Sequence, residues 1–249
     1  MVPVCSGLGA CLWSTDEPYL GRDVSEPIQV LSHSPAAGQE GVPTNAGLTF
    51  FFDDAVHPDS VSGDTIWLSA GGTAVGASRR VDLLDCSVTL RPHAPLQPLL
   101  THRAEAAGLW GFFTSPLAEP IAVGFTTGDA TTALPVDPLD PPTLDDLVSG
   151  VFADRCASCH SAHLPPGGVD LSSVEGAAAS LVGRQSELWP GATRVVPGSH
   201  ARSYLFWKLL GLPAVFGDPM PPEGDWPLDR GCGTADADLR RIAAWIDSL

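Results

Sequence analysis

Seven short runs rich in β-branched and aromatic residues lie between Ile28 and Gly128: Ile28 to Leu31, Leu48 to Phe52, Thr65 to Leu68, Val75 to Val81, Val88 to Leu90, His102 to Ala106 and Ile121 to Thr127. Clusters of glycine, proline and aspartate separate them. Runs this short match strands, and the turn residues between them oblige the chain to reverse direction each time. Seven such runs within about a hundred residues predict an antiparallel β-sandwich over residues 28–128.

The pattern changes after Gly128. Residues 129–142 hold Pro135, Pro138, Pro141 and Pro142 with no apolar period, the composition of a semi-rigid linker. From Thr143 the spacing becomes helical. Thr143 with Asp146 forms a capping-box-like start, and Leu144, Leu147, Val148, Val151 and Phe152 recur on one face that also carries Cys156. Ser172 with Glu175 predicts the start of a second helix running to Leu181 and Val182 and stopped by Gly183. Ser199 precedes a third, with Tyr204, Leu205, Trp207, Lys208 and Leu209 in its body. Thr234, Asp236 and Asp238 suit the positive end of a fourth, whose Leu239, Ile242, Ala243 and Ile246 form one apolar stripe.

At the end of the first helical run stand Cys156, Ala157, Ser158, Cys159 and His160. Cys-x-x-Cys-His is the minimal sequence to which haem is covalently attached in c-type cytochromes. Two thiols three positions apart can each form a thioether to one porphyrin vinyl group, and the adjacent imidazole then reaches the iron from one face. The competing readings need partners elsewhere. Structural zinc requires four ligands, and Cys232 is the one later cysteine. A thioredoxin-like pair follows a strand in a βαβ unit, whereas the residues before Cys156 have a helical period.

Iron bound by His160 leaves a sixth position. Apart from Met1 the chain has one methionine, Met220, inside Asp218-Pro219-Met220-Pro221-Pro222. Proline fixes its own φ and pushes the preceding residue toward extended backbone, so the stretch is a stiff non-helical loop that presents a thioether. Met220 is the expected axial ligand, with His163 and His200 as substitutes; the bland alternative is a methionine filling a gap in the core.

These residues carry two resemblances. From about Thr143 to Leu249 the chain resembles small class I cytochrome c domains of exported bacterial multidomain proteins, through the Cys156 to His160 motif, Gly167-Gly168-Val169-Asp170-Leu171, Val196-Pro197-Gly198-Ser199, Ser203 to Leu209, Met220-Pro221-Pro222 and Ile242 to Ile246. That resemblance implies Cys156 and Cys159 as the thioether residues, His160 as proximal and Met220 as distal ligand, and one covalent haem c. The first half is similar to bacterial Ig-like domains of the surface-layer type, through Ser34 to Gly38, Gly41 to Asn45, Leu48 to Val56 and Phe125 to Gly128. Such modules are spacers or interaction platforms. Thr101-His102-Arg103 departs from the family, which tends to place a tyrosine and apolar residues there. The expected fold is therefore multidomain, β then α: an Ig-like antiparallel β-sandwich at 28–128 followed by a mostly α-helical cytochrome c-like domain at 143–249.

A formal net charge of −16 argues against nucleic acid and anionic lipid as partners and points to a basic or neutral redox protein. The same acidity serves solubility. No stretch approaches the roughly 20 apolar residues that span a bilayer. Residues 1–27 form a leader-like segment and tether in which Leu8-Gly9-Ala10-Cys11 resembles a bacterial lipobox, with Cys11 as a lipid anchor, although the residues before it lack a basic region. The resemblance implies export to the periplasm or cell surface, because haem attachment in bacteria takes place outside the cytoplasm. If Cys11 is lipidated and Cys5 lost with the leader, Cys86 and Cys232 remain and can pair in an oxidising compartment; the alternative is two isolated buried thiols.

One-electron transfer is the expected function, and an electron carrier rather than an enzyme the expected class. The alternatives are a cell-surface interaction protein with an accessory haem domain, and a haem enzyme or sensor with an open sixth site. Arg184, Arg194 and Lys208, basic residues downstream of the motif, are the candidates for pairing with a haem propionate.

Overall fold

Period-two burial runs through the first half of the chain. The structure is a computed structural model and describes residues 26–112, 114–130, 140–163, 165–212, 219–222, 232–233 and 236–249, with the backbone alone of Pro3–Ser6 and Ala10–Trp13. Most of the linker, the lipobox residues Leu8 and Gly9, Asp218 and Thr234 lie outside the described residues.

Strands β1 (Pro3–Ser6) and β2 (Ala10–Trp13) pair antiparallel, with Cys5 opposite Cys11. Eight further strands make two four-stranded antiparallel sheets. One sheet is formed by β3 (Val30–Ser34), β4 (Leu48–Phe52), β7 (Ala77–Asp82) and β8 (Ser87–Pro92), in the order β3-β4-β8-β7. The other is formed by β5 (Ile66–Ala70), β6 (Thr73–Val75), β9 (Thr101–Ala106) and β10 (Ile121–Thr126), in the order β10-β9-β5-β6. Alternate residues face inward, so Leu48, Phe50 and Phe52 of β4 and Val88 and Leu90 of β8 meet Ile66, Leu68, Ala104, Ala106, Val123 and Phe125 in one buried cluster. Each of the larger side chains contributes about 1.5–3 kcal/mol by leaving water.

Two expectations are refined here. The single run Val75 to Val81 is two strands in different sheets, β6 pairing with β5 and β7 with β8. Gly76 sits at the changeover, where a Cβ would come within 3.1 Å of His93 Nδ1. His102, at the departure from the family pattern, is fully buried, stacks on Phe125 and bonds the Leu100 carbonyl through Nδ1 at 3.0 Å. An imidazole with its polar atom satisfied locally takes the inward place.

The second half is helical but more broken than a mostly α-helical domain. Its helices are α1 (Leu144–Leu147), α2 (Ala153–Arg155), α3 (Val174–Leu181), α4 (Tyr204–Leu210) and α5 (Ala237–Ser248). Between α1 and α2 the chain makes a π-type turn, Val148–Phe152, kinked at Gly150. Glycine and proline in the connections prevent longer helices. The capping box forms as the sequence predicts, Thr143 and Asp146 each accepting from the other's backbone N–H. The cap of α3 is Ser173 rather than Ser172, whose hydroxyl turns to Asp170. Ser199 begins a single 3-10 turn, His200–Arg202, and α4 starts only after Ser203. Asp236 caps α5, and Leu239, Ile242, Ala243 and Ile246 are buried along one side of it.

The two halves share a core. Ala55, Leu83, Leu84, Cys86 and Phe112 from the sandwich belong to the same buried cluster as Phe152, Phe206, Trp207 and Ile246. Trp207 packs edge-on to Phe112 at 5.4 Å, and the His57 ring stacks on Trp110 at 4.4 Å beside it. Burial is the main cause that lowers the His57 pKa from its ordinary value. His200, expected as a substitute ligand, is spent at this boundary instead. Its Nδ1 donates to Asp247 Oδ2 at 2.8 Å and its Nε2 accepts the Leu83 N–H at 3.3 Å, so both ring nitrogens are engaged. Burial raises the Asp247 carboxyl, but bonding to His200 and the Arg80 guanidinium outweigh it and hold the group below the usual carboxylate range. Arg202 reaches Asp59 and the Pro58 carbonyl, and Arg240 pairs with Asp85. Cys86 and Cys232 form a disulfide across the boundary, and Gly233 N–H bonds the Leu84 carbonyl beside it. A sandwich held this way is a docked partner of the helical half, not a swinging spacer.

Candidate functional site

Where α2 ends, the Cys156 carbonyl accepts the N–H groups of both Cys159 and His160, at 3.1 and 2.9 Å. That single turn brings residues three apart to one side. Both thiols are free. Cys159 is exposed, whereas Cys156 is half-buried against the shared cluster. Loss of water pushes the Cys156 thiol up to about 11, with the Arg155 charge opposing more weakly. A thiol so shifted is almost wholly protonated at neutral pH, unlike the depressed first thiol of a disulfide-exchange pair. In haem-free chain, iodoacetamide at pH 8 is expected to label Cys159 at least about tenfold faster than Cys156, since only about a thousandth of Cys156 is thiolate there. Peptide mass spectrometry of a time course checks this, and equal rates would count against a buried Cys156.

His160 folds back on the loop that follows it. Its Nδ1 lies 3.2 Å from the Val169 carbonyl oxygen, and its own carbonyl accepts the Leu171 N–H at 2.8 Å. A carbonyl only accepts, so Nδ1 carries the proton, and the Nε2 lone pair of the neutral ring has no hydrogen-bond partner among the described residues. This is the arrangement in which a backbone carbonyl orients a metal-binding histidine.

Met220 lies outside any helix, as its flanking prolines require, and is half-buried against the same cluster as Cys156. Its N–H bonds the Lys208 carbonyl at 2.9 Å at the end of α4. His163 is exposed. Cys156, Cys159 and His160 are thus brought together on one turn, whereas Met220 shares with Cys156 only the edge of the same large cluster. Among the described residues no three His, Cys, Asp or Glu side chains gather around a bare ion, so the zinc alternative finds no completed ligand set there.

The three basic candidates for a propionate divide. Arg184 is exposed and its Nε bonds the Ala179 carbonyl. Lys208 is buried, its Nζ lying 6.0 Å from the Tyr204 ring centroid. Arg194 is 7% exposed and its guanidinium is committed to backbone carbonyls. A sequence gives the charge of an arginine but not its burial, and nothing local marked this one.

Residues 24–127 match the family model described as a bacterial Ig-like domain. This segment is a bacterial Ig-like domain. It begins four residues before the boundary read from the sequence and ends one before it, ahead of the helical half. No curated protein matches the chain. Among solved structures, the S-layer protein SbsC is 14% identical over 43% of this chain and 14% of its own, with a TM-score of 0.34. L,D-transpeptidase 1 of Mycobacterium tuberculosis is 20% identical over 41% of this chain and 39% of its own, with a TM-score of 0.28. The copper resistance protein PcoC of Escherichia coli is 18% identical over 39% of this chain and 97% of its own, with a TM-score of 0.32. This chain thus spans only a small part of the S-layer protein, and none of these overlaps assigns chemistry to the Ig-like domain. No helix of the described residues is long and apolar enough to cross a membrane.

Proposed function

We propose that residues 143–249 carry one covalently attached haem c for one-electron transfer, in an exported protein whose Ig-like domain is docked against the haem-bearing half. The observation that carries this reading is the Cys156 to His160 turn, with both thiols reduced and the His160 ring held through Nδ1 so that Nε2 is free. Cys156 and Cys159 would supply the two thioether sulfurs, His160 the proximal nitrogen and Met220 the distal sulfur. When bound, the haem supplies a one-electron iron couple whose potential a thioether ligand raises relative to a second imidazole.

The protein's part is to bury, orient and hold these groups. Cys156 and Met220 both pack against the shared apolar cluster, which includes Phe152, Leu171, Leu181 and Leu209. The Val169 carbonyl fixes the His160 tautomer, and the Lys208 carbonyl tethers the backbone of Met220. The disulfide between Cys86 and Cys232 suits an oxidising compartment, which supports export to the periplasm or cell surface. The acidic balance of the chain supports a basic or neutral redox partner.

The test is a denaturing gel stained for haem, run on full-length chain exported from a host with a c-type maturation system. Colour that survives boiling in detergent at the mass of this chain is expected. Properly exported chain that is colourless, with no iron by elemental analysis, would overturn the proposal.

A further inference from the structure

The loop that offers its carbonyl to His160 is held by a residue far along the chain. Pro166–Gly168 makes one 3-10 turn in which Gly167 and Gly168 both have left-handed backbone, at φ 61° and 67°. Two left-handed residues in succession turn their carbonyls out of any regular ladder, and those carbonyls need donors. Arg194 supplies them. Its Nη2 donates to the Gly167 carbonyl at 2.6 Å, and its Nη1 donates to those of Gly168 at 3.1 Å and Ser180 at 2.7 Å. Glu187 Oε1 stands 3.7 Å from Nη2. A Cβ on Gly168 would come within 2.6 Å of that same Oε1, but the Glu187 side chain is exposed and can swing aside, so it is φ that calls for glycine. On the far side of Val169, Ser180 Oγ accepts the Asp170 N–H and donates to the Asp170 carbonyl, both at 3.1 Å. Val169 is therefore clamped from both sides, and its carbonyl is the one that receives Nδ1–H of His160.

We infer that Arg194 is a positioning residue for His160: by gripping the Gly167 and Gly168 carbonyls it aims the Val169 carbonyl at Nδ1 and keeps Nε2 free to bind. The role serves the haem reading, on which its purpose rests, but its first test needs no haem. The planar guanidinium reaches three carbonyls at once, which a lysine ammonium on a single stem does not reproduce.

Full-length wild-type, Arg194→Lys and Arg194→Gln chains are exported without haem maturation, and the His160 ring is followed by long-range proton–nitrogen NMR near pH 8. Wild type is expected to hold its ring proton on Nδ1. The ratio of Nδ1–H to Nε2–H should fall by about threefold to tenfold in the variants, the range expected from weakening one hydrogen bond. In matured chain Arg194→Lys, which keeps the positive charge, should raise the midpoint potential, because a weaker bond at Nδ1 leaves the imidazole a poorer donor. Wild-type His160 found with its proton on Nε2 would overturn the inference even if neither variant folds. Folded variants with an unchanged tautomer ratio would overturn it as well. If the ratio shifts as expected but matured chain is colourless on the gel, the haem reading falls and the positioning role stands.

Discussion

With Cys156 and Cys159 both replaced by alanine, exported chain is expected to run colourless on a haem-stained denaturing gel while keeping its far-ultraviolet circular dichroism. On the proposed reading the two sulfurs would be the groups that hold a porphyrin through boiling, because bonds from His160 and Met220 to iron would not survive detergent. The structural cost should be small. Cys159 is exposed, and the Cys156 sulfur makes only a long 4.0 Å contact with the Val151 carbonyl, so truncation removes little beyond packing. Together the two changes should cost on the order of 1 kcal/mol or less per site. Each single variant keeps one thioether and should retain stained material at reduced yield. A double variant that still stains after boiling would sink the assignment of these thiols, and loss of dichroism would mean that they serve the fold.

Removal of the disulfide is the second large effect. Cys86 and Cys232 are 146 residues apart, so their bond closes a long loop and constrains the unfolded chain strongly. Replacing both by alanine should lower stability by about 2–5 kcal/mol, with loops of this length toward the upper end. Urea unfolding of the full chain at pH 7, against wild type with and without reductant, measures it. A loss below about 1 kcal/mol would mean that residual structure already restrains the unfolded chain without the bond. The bond also ties Cys232, which stands between Met220 and α5 in sequence, to the sandwich. Its removal should therefore loosen the presentation of Met220 in matured chain, seen as easier displacement of that sulfur by added imidazole.

Much of the sandwich was legible because alternation is a local property. A strand buried on one face must alternate, and Leu48 to Phe52 says so without any partner in view. Where one run crosses from sheet to sheet, as at Gly76, the residues on both sides still favour strand and only the tertiary path divides them. The helix starts at Thr143 and Asp236 were readable for the same local reason, a side chain closing on a backbone N–H three residues away. The broken stretch between α3 and α4 was not, because its backbone is held by side-chain bonds such as that from the Val196 N–H to the Ser203 hydroxyl.

For the candidate site, spacing marked Cys156, Cys159 and His160, and the proline clamp marked Met220. The partner of His160 Nδ1 was hidden, since a backbone carbonyl leaves no trace in side-chain identity. His200 shows the opposite failure. Its chemistry as an available imidazole was correct, but burial between Asp247 and the Leu83 N–H had already assigned it.

Alternation, cap residues and the cysteine spacing are encoded over a few neighbours, so the sequence alone determined a strand-built first half, a helix-bearing second half and a thiol–thiol–imidazole turn. Only the tertiary structure decided that the halves share one core, that Cys86 meets Cys232, and that Arg194 is buried beneath the His160 loop. Those outcomes depend on which surfaces exclude water together, and that is a property of residues distant along the chain rather than of any short window of it.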